Sequence, residues 1–326
     1  MKSSCERPSG NSVDLSIIII NWNSAEYTRK CLESLFENTA GIDLEVIVVD
    51  NGSFDACGRM VLSEFPKVRF FQSNENLGFA KGNNYGSEQA TGAYLLFLNP
   101  DTEIIGDAVP RMLTLIRGLP KAGILGCKLL NSDRSLQTSC VMAFPTILNQ
   151  MYDSEIMNRR LSIVPIGNVK DLQAELATAQ AISGACLMIR AGLFEEVGRF
   201  SPEYVMYTED LDLSYKVWQA GYVNYYTGSV SVVHHGGGSS QQRKENSYAN
   251  IQMRESIFKF LKKTRGGAYA GLYKKAMFLN GVARFGILSL ASAVGLLIGQ
   301  GSRYRSSLIK WKAIIRWTLG MEKWAH

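Results

Sequence analysis

The sequence predicts an α/β protein with a mostly parallel, open sheet flanked by helices. Short apolar runs of strand length alternate with segments of helical periodicity over the first hundred residues, which is typical of βαβ units. The runs are continuous rather than alternating, as in strands buried on both faces. Each run ends in polar residues, and open α/β sheets bind ligands outside the carboxyl ends of their strands.

Four strands and two helices are predicted in this part of the chain. The fourth strand is stopped by Pro100, which cannot donate to a ladder, and it delivers Asp101 to its carboxyl end. Ser24 suits the N-cap of the first helix, and the second helix begins near a turn at Gly78. In chain order the strands cover 15–20, 44–49, 68–71 and 94–98, and the helices cover 25–38 and about 78–90.

The pattern is less regular beyond residue 100. Further strands are predicted over 123–130, 182–189 and 230–233, a loop begins over 194–200, and a helix covers 209–220. The polar residues 131–180 show no clear period and are predicted to form a loop-rich excursion over the active face. The predicted organisation is a leader (1–14), a catalytic domain (15–265) and a C-terminal region (266–326).

The composition separates an acidic body from a basic tail. The chain has 326 residues, 46% hydrophobic and 20% charged, so it is globular rather than disordered. From residue 241 onward there are 16 Lys/Arg and 3 Asp/Glu, a net charge of +13; the first 240 residues carry 19 Lys/Arg and 26 Asp/Glu, a net of −7. The tail therefore indicates an anionic partner, either a membrane surface or nucleic acid.

Cysteine usage and the leader indicate a reducing compartment. The six cysteines are scattered without a Cys-x-x-Cys pair, and several lie inside apolar runs, so they are expected to be free thiols. The polar leader contains no apolar segment of the kind found in signal peptides. A cytoplasmic location is the resulting expectation.

The C-terminal region favours a membrane surface over nucleic acid. Residues 276–299 are mostly apolar but contain Asn280 and Arg284, which leaves an uninterrupted stretch of 15 residues, 285–299. A simple spanning helix needs about 20 residues. Basic residues interleaved with Trp311 and Trp317 follow, as in helices that lie in a membrane interface. The alternative is an ordinary helical hairpin packed on the domain.

Polar residues at the strand ends form a candidate site. Parallel strands would place them along one edge, where they could bind a sugar, a base and phosphates. Carboxylates alone would repel a nucleotide, whereas Asp and His ligands with diphosphate oxygens suit Mg²⁺ or Mn²⁺. The candidates are Asn21, Asn23, Asp50, Asn51, Asn74, Asn76, Asp101 and His234, together with Glu209 and Asp210 at a helix start.

These motifs, in this order and spacing, resemble family 2 inverting glycosyltransferases of the GT-A type, in particular the rhamnosyltransferase-like branch. The resemblance runs from about residue 16 to 240. It rests on 17–23, 48–53 (Val-Val-Asp-Asn-Gly-Ser), 74–86, 97–101, 183–185, 209–212 and 234–239. It implies the GT-A fold, a nucleotide-sugar donor, and a divalent metal.

The resemblance also implies roles for individual residues. Asp210 matches the catalytic base of the Glu-Asp motif, with Glu209 in a supporting role. Asp101 matches the metal-binding Asp of the DXD motif; Asn99 stands at the first acidic position, which leaves more of the metal binding to His234. The implied nucleotide-sugar-binding residues are Asn21, Asn23, Asp50, Asn51, Asn76, Gly78, Lys81, Asn99, Asp101 and Gly184.

Simpler structural explanations remain open for several positions. Asp50 could initiate a turn, and Gly78 could serve close helix packing. Asp212 is interpreted as an acid favoured by the helix dipole. Of His234 and His235, one is expected to be structural.

The leading hypothesis is a metal-dependent inverting transferase. It would move a sugar, with L-rhamnose from dTDP-rhamnose as the first candidate, to a hydroxyl of a lipid-linked or cell-surface polysaccharide at the inner face of the cell membrane. The alternatives are a sugar-nucleotide-binding protein without activity and a nucleotidylyltransferase, although the Gly-rich, Arg-containing loop of the latter is absent after the first strand. A dehydrogenase would need Gly-x-Gly-x-x-Gly at that turn, which is also absent.

Overall fold

The computed structural model describes residues 13–151, 169–204, 206–236, 247–297 and 304–322. Predictions that concern residues 1–12, 152–168 of the loop-rich excursion, 237–246, 298–303 and 323–326 lie outside these ranges. Within them, an open sheet is flanked by helices, as the sequence predicts, but the sheet is mixed rather than mostly parallel. The five described cysteines are all buried and free.

The first hundred residues form the parallel half of the sheet. Here every predicted strand and helix is confirmed to within two residues at each end. The elements are β1 (Leu15–Asn21), α1 (Ala25–Asn38), β2 (Leu44–Asn51), α2 (Cys57–Glu64), β3 (Arg69–Ser73), α3 (Gly78–Gln89) and β4 (Tyr94–Leu98). The strands lie in the order β3-β2-β1-β4, and all neighbouring pairs are parallel. Their carboxyl ends therefore meet at one edge.

The following segment adds antiparallel strands. It contains β5 (Thr102–Ile104), α4 (Ala108–Gly118), β6 (Ala122–Leu130), β7 (Val141–Met142), α5 (Ile147–Met151), β8 (Ala177–Ala179), β9 (Ala181–Ile182), β10 (Cys186–Arg190), α6 (Ala191–Glu196), α7 (Glu209–Gln219) and β11 (Val223–His234). The sheet continues from β4 as β10-β6-β11-β5, with β8 paired to β11, while β7 and β9 form a separate pair. β10 is antiparallel to both of its neighbours, β4 and β6.

Three predictions in this part are wrong in detail. The strand predicted over 182–189 is interrupted at Ser183–Ala185, because the Ser183 and Gly184 N–H groups donate to Cys140 O and Asp210 rather than to a neighbouring strand. The strand predicted over 230–233 is only the end of β11, which has 12 residues. The loop predicted from residue 194 lies partly in the helix α6.

The described residues contain two hydrophobic clusters. The larger one joins both faces of the sheet to the helices that cover it. The smaller one contains residues of α8 (Ser247–Arg265), α9 (Gly267–Leu297) and α10 (Arg305–Thr318), together with Tyr204. The cluster therefore joins α8, which precedes the predicted boundary at residue 265, to the helices that follow it.

The helix α9 is longer than the predicted apolar segment. It has 31 residues, and its stretch Gly267–Val294 is, by length and composition, the one span candidate among the described residues. The side chains of Asn280 and Arg284, which interrupt the apolar run, both donate to Met151 O at the end of α5. These two polar side chains are thus turned toward the protein. Cation–π contacts of Lys274 with Trp317 and of Arg284 with Trp311 show that α10 runs back antiparallel along α9.

Candidate active site

A buried hydrogen-bond network fixes Asp50 at the end of β2. Asn21, fully buried at the end of β1, donates through Nδ2 to Asp50 Oδ2 at 2.8 Å and to Ser53 Oγ at 3.0 Å. Asp50 Oδ1 accepts from Ser53 N and Gln72 Nε2, each at 2.8 Å. Register explains the cluster, since Asn21 pairs with Asp50 and Asp50 with Gln72 across adjacent parallel strands. The side chain of Asn21 therefore positions Asp50.

The next residue, Asn51, holds the turn before α3. Its Nδ2 donates to Asn76 Oδ1 at 3.0 Å, and its Oδ1 accepts from Leu77 N at 2.8 Å. Asn76 Oδ1 also accepts from Gly78 N at 2.9 Å. Gly78 has a φ of +76°, a conformation that suits glycine, so this position serves the turn.

Asp101 and His234 meet because β5 pairs with β11. Thr102 is opposite His234 in that antiparallel pair, and the His235 N–H donates to Asp101 O at 2.9 Å. As a result, Asp101 Oδ1 lies 3.4 Å from His234 Nε2. Asn99, which directly follows β4, places its Nδ2 3.2 Å from the same nitrogen.

Gln137 determines which nitrogen of His234 faces Asp101. Gln137 Nε2 donates to Asn131 Oδ1 at 3.1 Å, so its Oε1 is turned toward His234 Nδ1, 2.8 Å away. An amide oxygen can only accept, and Nδ1 must therefore carry the proton. In the neutral ring this leaves the lone pair of Nε2 directed at Asn99 and Asp101. Gln137 lies in the segment without a clear period, and no sequence signal pointed to it.

Asp101 and His234 fit a divalent metal. Oxygen ligands of Mg²⁺ stand about 2.1 Å from the ion, so neighbouring ligand atoms are about 3 Å apart, close to the separation found here. The fixed tautomer of His234 is the one that metal-bound histidines use, with the other ring nitrogen donating to an oxygen. These two residues are the predicted metal ligands, and diphosphate oxygens and water would complete the shell.

A second group, made of Asp50, Asp55 and Cys57, has metal-like spacing but unsuitable chemistry. The Asp50 oxygens accept from Asn21, Ser53 and Gln72, and the Asp55 oxygens accept from Ala25 N and Cys57 N. Burial raises the pKa of the Cys57 thiol to about 12, so the thiolate that a metal requires is disfavoured. These contacts organise the loop before α2.

The first turn of α7 carries the predicted base, Asp210. Its Oδ2 accepts from Gly184 N and its Oδ1 from Leu211 N, both at 2.9 Å. Burial raises the pKa of Asp210, and the two backbone N–H groups act against that shift. A Cβ at Gly184 would lie 3.1 Å from the Phe79 ring and 3.5 Å from Asp210 Cβ, which explains why a glycine suits this contact.

The neighbouring Glu209 is buried with one oxygen, Oε2, lacking a hydrogen-bond partner in the described structure. Burial, and after it the Asp210 carboxylate, raise the pKa of Glu209 to about 8. The two preceding residues, Tyr207 and Thr208, have φ values of +69° and +75°. Such non-glycine conformations cost about 1–3 kcal/mol each and occur preferentially at functional sites.

One short segment connects these groups. Gly184 donates to Asp210, and the next residue, Ala185, accepts through its carbonyl from Asn99 N at 3.0 Å. Asn99 in turn contacts His234. The interruption between β9 and β10 therefore links Asp210 to the Asp101–His234 pair.

Other predicted site residues do not take part in this link between Asp210 and the Asp101–His234 pair. Asn23 is exposed and contacts the 51–55 loop, since its N–H donates to Ser53 Oγ at 3.0 Å and its Oδ1 accepts from Phe54 N at 2.8 Å. Lys81 is exposed on α3 and makes no ion pair within the described ranges. His235 contacts Glu103 and Ser132, each at 2.8 Å, and has a structural role.

The sheet and the helices that flank it have the GT-A fold. The family described as glycosyl transferase family 2 matches residues 16–198, more than half of the chain. The chain therefore belongs to that family, and it is a glycosyltransferase.

Two relatives support the resemblance to the rhamnosyltransferase-like branch. An N-acetylglucosaminyl-diphospho-decaprenol L-rhamnosyltransferase of Mycobacterium tuberculosis is 24% identical over 68% of this chain and 76% of its own length. The low-salt glycan biosynthesis hexosyltransferase Agl10 of Haloferax volcanii is 26% identical over 72% of this chain and 71% of its own length.

Solved structures confirm the fold. The mannosyltransferase PcManGT from Pyrobaculum calidifontis, in complex with GDP-Man and Mn²⁺, has a TM-score of 0.59 at 18% identity, covering 97% of this chain and 90% of that one. GalNAc-T7 with UDP, GalNAc and Mn²⁺ has a TM-score of 0.57 at 15% identity, covering 79% of this chain and 52% of that one.

Proposed function

We propose that the chain is a metal-dependent, inverting glycosyltransferase that uses Asp210 as its base. It takes a sugar from a nucleoside diphosphate and transfers it to a hydroxyl of a glycan or lipid-linked glycan. The main observation is the hydrogen-bonded link through Gly184 and Ala185. It joins Asp210, a carboxylate with a raised pKa, to the Asp101–His234 pair, which has the spacing of metal ligands.

The chemistry divides between the two ends of this link. Asp210 takes the proton of the acceptor hydroxyl as the new glycosidic bond forms, a contribution of about 10²–10⁴ in rate for a positioned base. Its raised pKa makes it a better proton acceptor than an ordinary Asp. Inversion needs a single displacement and hence a single base. Glu209, with an unpartnered buried oxygen beside Asp210, supports the base or the acceptor.

The leaving diphosphate would bind at the Asp101–His234 end of this link. Asp101 and His234 would hold Mn²⁺ or Mg²⁺, and Asn99 would contact the donor or its metal shell. When bound, such an ion neutralises the charge that develops on the departing diphosphate. Asp50, held by Asn21, Ser53 and Gln72, would contact the nucleoside together with Asn51. We propose dTDP-rhamnose as the first donor to test, since one relative is a rhamnosyltransferase.

The C-terminal helices suit an acceptor carried by a membrane. An exposed apolar stripe runs along α9, formed by Leu272, Leu279, Val282, Ile287, Leu290 and Val294. The opposite side of α9 packs on α5, α8 and α10, which favours a helix lying against a bilayer over one that crosses it alone. We propose that α9 lies in the plane of an anionic bilayer, at its cytoplasmic face, with the stripe inserted and exposed basic residues such as Lys275 and Lys312 near the headgroups.

A donor panel tests the proposal. The full chain is incubated with Mn²⁺ and dTDP-, UDP- or GDP-sugars, and binding is measured as thermal stabilisation; a ligand at 100 times its Kd adds about 2.7 kcal/mol. The stabilising donor is then supplied with membrane lipid extract or lipid-linked N-acetylglucosamine diphosphate, and the product anomer is assigned by NMR. Transfer with inversion supports the proposal. Binding without transfer indicates a sugar-nucleotide-binding protein, and formation of a nucleotide-sugar from NTP and sugar phosphate indicates a nucleotidylyltransferase.

A further inference from the structure

The C-terminal helices contact the catalytic helix through a buried carboxylate. Asp212, on α7 two residues after Asp210, is fully buried. It accepts hydrogen bonds from Ser201 Oγ and, at 3.2 Å, from Tyr204 OH. Lys263 of α8 places its ammonium nitrogen 3.0 Å from Asp212 and also reaches Ser201 Oγ at 3.0 Å and Glu203 Oε1 at 2.9 Å. The predicted role of Asp212 as a helix-dipole acid is therefore incomplete, because its buried carboxylate also accepts from the partly exposed ammonium of Lys263.

The same helix also holds the residues that lead into the Glu-Asp pair. Ser256 Oγ of α8 donates to Met206 O at 3.0 Å. Tyr204 is buried in the hydrophobic cluster of α8, α9 and α10. Tyr207 and Thr208, both in left-handed conformations, follow Met206 directly and precede Glu209. A strained backbone of this kind persists only where surrounding contacts impose it, and α8 supplies such contacts here.

Lys263 differs from Lys216, the other cation near Asp212, in the elements that it connects. Lys216 lies 3.6 Å from Asp212, but it belongs to α7 itself and bonds mainly to Arg199 O. Lys216 therefore joins α7 to the residues just before the Glu-Asp loop without involving the C-terminal helices. Lys263 is the ammonium that connects α8 both to α7 and to residues 201–203.

We propose that Lys263 is a positioning residue, which orients the Asp210 carboxylate by tying α8 to Asp212 and to the residues that precede the Glu-Asp pair. The C-terminal helices are then part of the catalytic apparatus as well as a means of attachment. This inference rests on the proposed function, since it concerns the base. It predicts that loss of the Lys263 cation lowers kcat while leaving donor binding, at the Asp50 and Asp101 end of the site, unchanged.

The test compares Lys263→Met with Lys262→Met, the same change at an exposed neighbour on α8. Hydrogen exchange is measured at the Gly184 and Leu211 amides, which donate to Asp210 and report its placement. Donor KM, the Kd for the nucleoside diphosphate with Mn²⁺, and kcat are measured in parallel. Misplacement of a catalytic group by about 1 Å costs on the order of a hundredfold in rate, so we expect kcat to fall by about tenfold to a hundredfold.

The expected result is specific to Lys263. Exchange at Gly184 and Leu211 rises and kcat falls in Lys263→Met, whereas donor affinity and the values for Lys262→Met stay at those of the unaltered chain. Lys263→Arg, which keeps the cation, restores most of kcat. If Lys263→Met does not fold, Lys263→Gln, which also removes the cation but keeps a polar end near Asp212, replaces it, with the same expected rise in exchange.

Two failures can be told apart. Unchanged exchange at both amides overturns the positioning role, whether or not any sugar is transferred. An equal loss of donor affinity and kcat also overturns it, because that result indicates general damage to the site. Absence of transfer by the unaltered chain overturns the proposed function instead, while the exchange measurement still decides where Lys263 acts.

Discussion

Gln137 Oε1 lies 2.8 Å from His234 Nδ1, in a contact where only the histidine can donate. Gln137 is itself held by Asn131, so the orientation of the imidazole is set by two residues far from it in sequence. This contact turns His234 Nε2 toward Asp101, 3.4 Å away. Because Asn99 stands at the first acidic position of the DXD motif, the proposed metal site would depend more strongly on this orientation than a site with two carboxylates.

Gln137→Leu should therefore weaken Mn²⁺ binding without removing a ligand. Loss of an oxygen that orients a metal-bound histidine typically costs 10–100-fold in affinity. The measurement is calorimetric titration of Mn²⁺ in the presence of nucleoside diphosphate, with Asp101→Asn as the reference for loss of a ligand. Gln219→Leu, at the end of α7, is the control. Equal Mn²⁺ affinity in Gln137→Leu and the unaltered chain would show that His234 does not bind the metal.

Asp210→Asn should abolish transfer and keep the affinity for the nucleotide. The asparagine has nearly the same shape, but it cannot take a proton from the acceptor, and we expect a loss of about 10²–10⁴ in kcat. Activity is measured as transfer, and nucleotide affinity by calorimetry with Mn²⁺. Asp107→Asn, an exposed aspartate before α4, is the matched control. Normal turnover of Asp210→Asn would remove this residue from the role of base.

Glu209→Gln should change the pH dependence of stability. The pKa of Glu209 is raised from 4.5 to about 8 in the folded chain, mainly by burial. Between these values the unfolded chain has released the proton that the folded chain retains, so the free energy of unfolding of the unaltered protein falls as pH rises, and it levels off above 8. Glutamine does not titrate. The variant should therefore gain stability relative to the unaltered chain across this window.

The gain should amount to a few kcal/mol, since each pKa unit corresponds to about 1.4 kcal/mol. Urea unfolding at pH 5, 6, 7 and 8 measures it, and Glu37→Gln, on the exposed side of α1, serves as the control. A stability difference that stays constant over this range would contradict a raised pKa for Glu209.

The strands around β1 could be predicted because their signals are local. Continuous aliphatic runs define β1, β2 and β4, and polar residues such as Asp50 follow them directly. Asp101 and His234 carried recognisable motifs, and the structure brings them together. Their function as metal ligands remains a prediction.

The sequence did not reveal contacts between residues distant in the chain. Gln137 lies in an irregular segment, and its only distinguishing feature is its position beside His234. The interruption at Gly184 occurs because Asp210 accepts its N–H, and a strand pattern does not report such a partner. Asp212 was interpreted from its place in a helix, whereas Lys263, its ion-pair partner, comes from α8. Burial of a charge by a remote element leaves no local pattern.

The final prediction concerns the α9 stripe. Deleting the chain after Arg265 would uncover apolar residues of α8 such as Phe258, which contacts Trp317 of α10 and Lys274 of α9, and would confuse loss of membrane binding with loss of folding. Ile287 and Leu290 are 66% and 72% exposed, so changing both to Glu should leave the fold intact. Inserted aliphatic side chains contribute about 1.5–3 kcal/mol each, and the double variant should bind bilayers at least about a hundredfold more weakly.

Flotation with vesicles containing phosphatidylglycerol measures this partition, and binding of double-stranded DNA at the same ionic strength is measured beside it. Leu62→Glu is the matched control, because Leu62 is 65% exposed on α2, outside the C-terminal helices. We expect Leu62→Glu to float with the vesicles as the unaltered chain does, and the double variant to remain at the bottom of the gradient. Flotation of the double variant would show that the stripe is not the membrane contact. Tighter binding to DNA than to vesicles would assign the basic tail to nucleic acid.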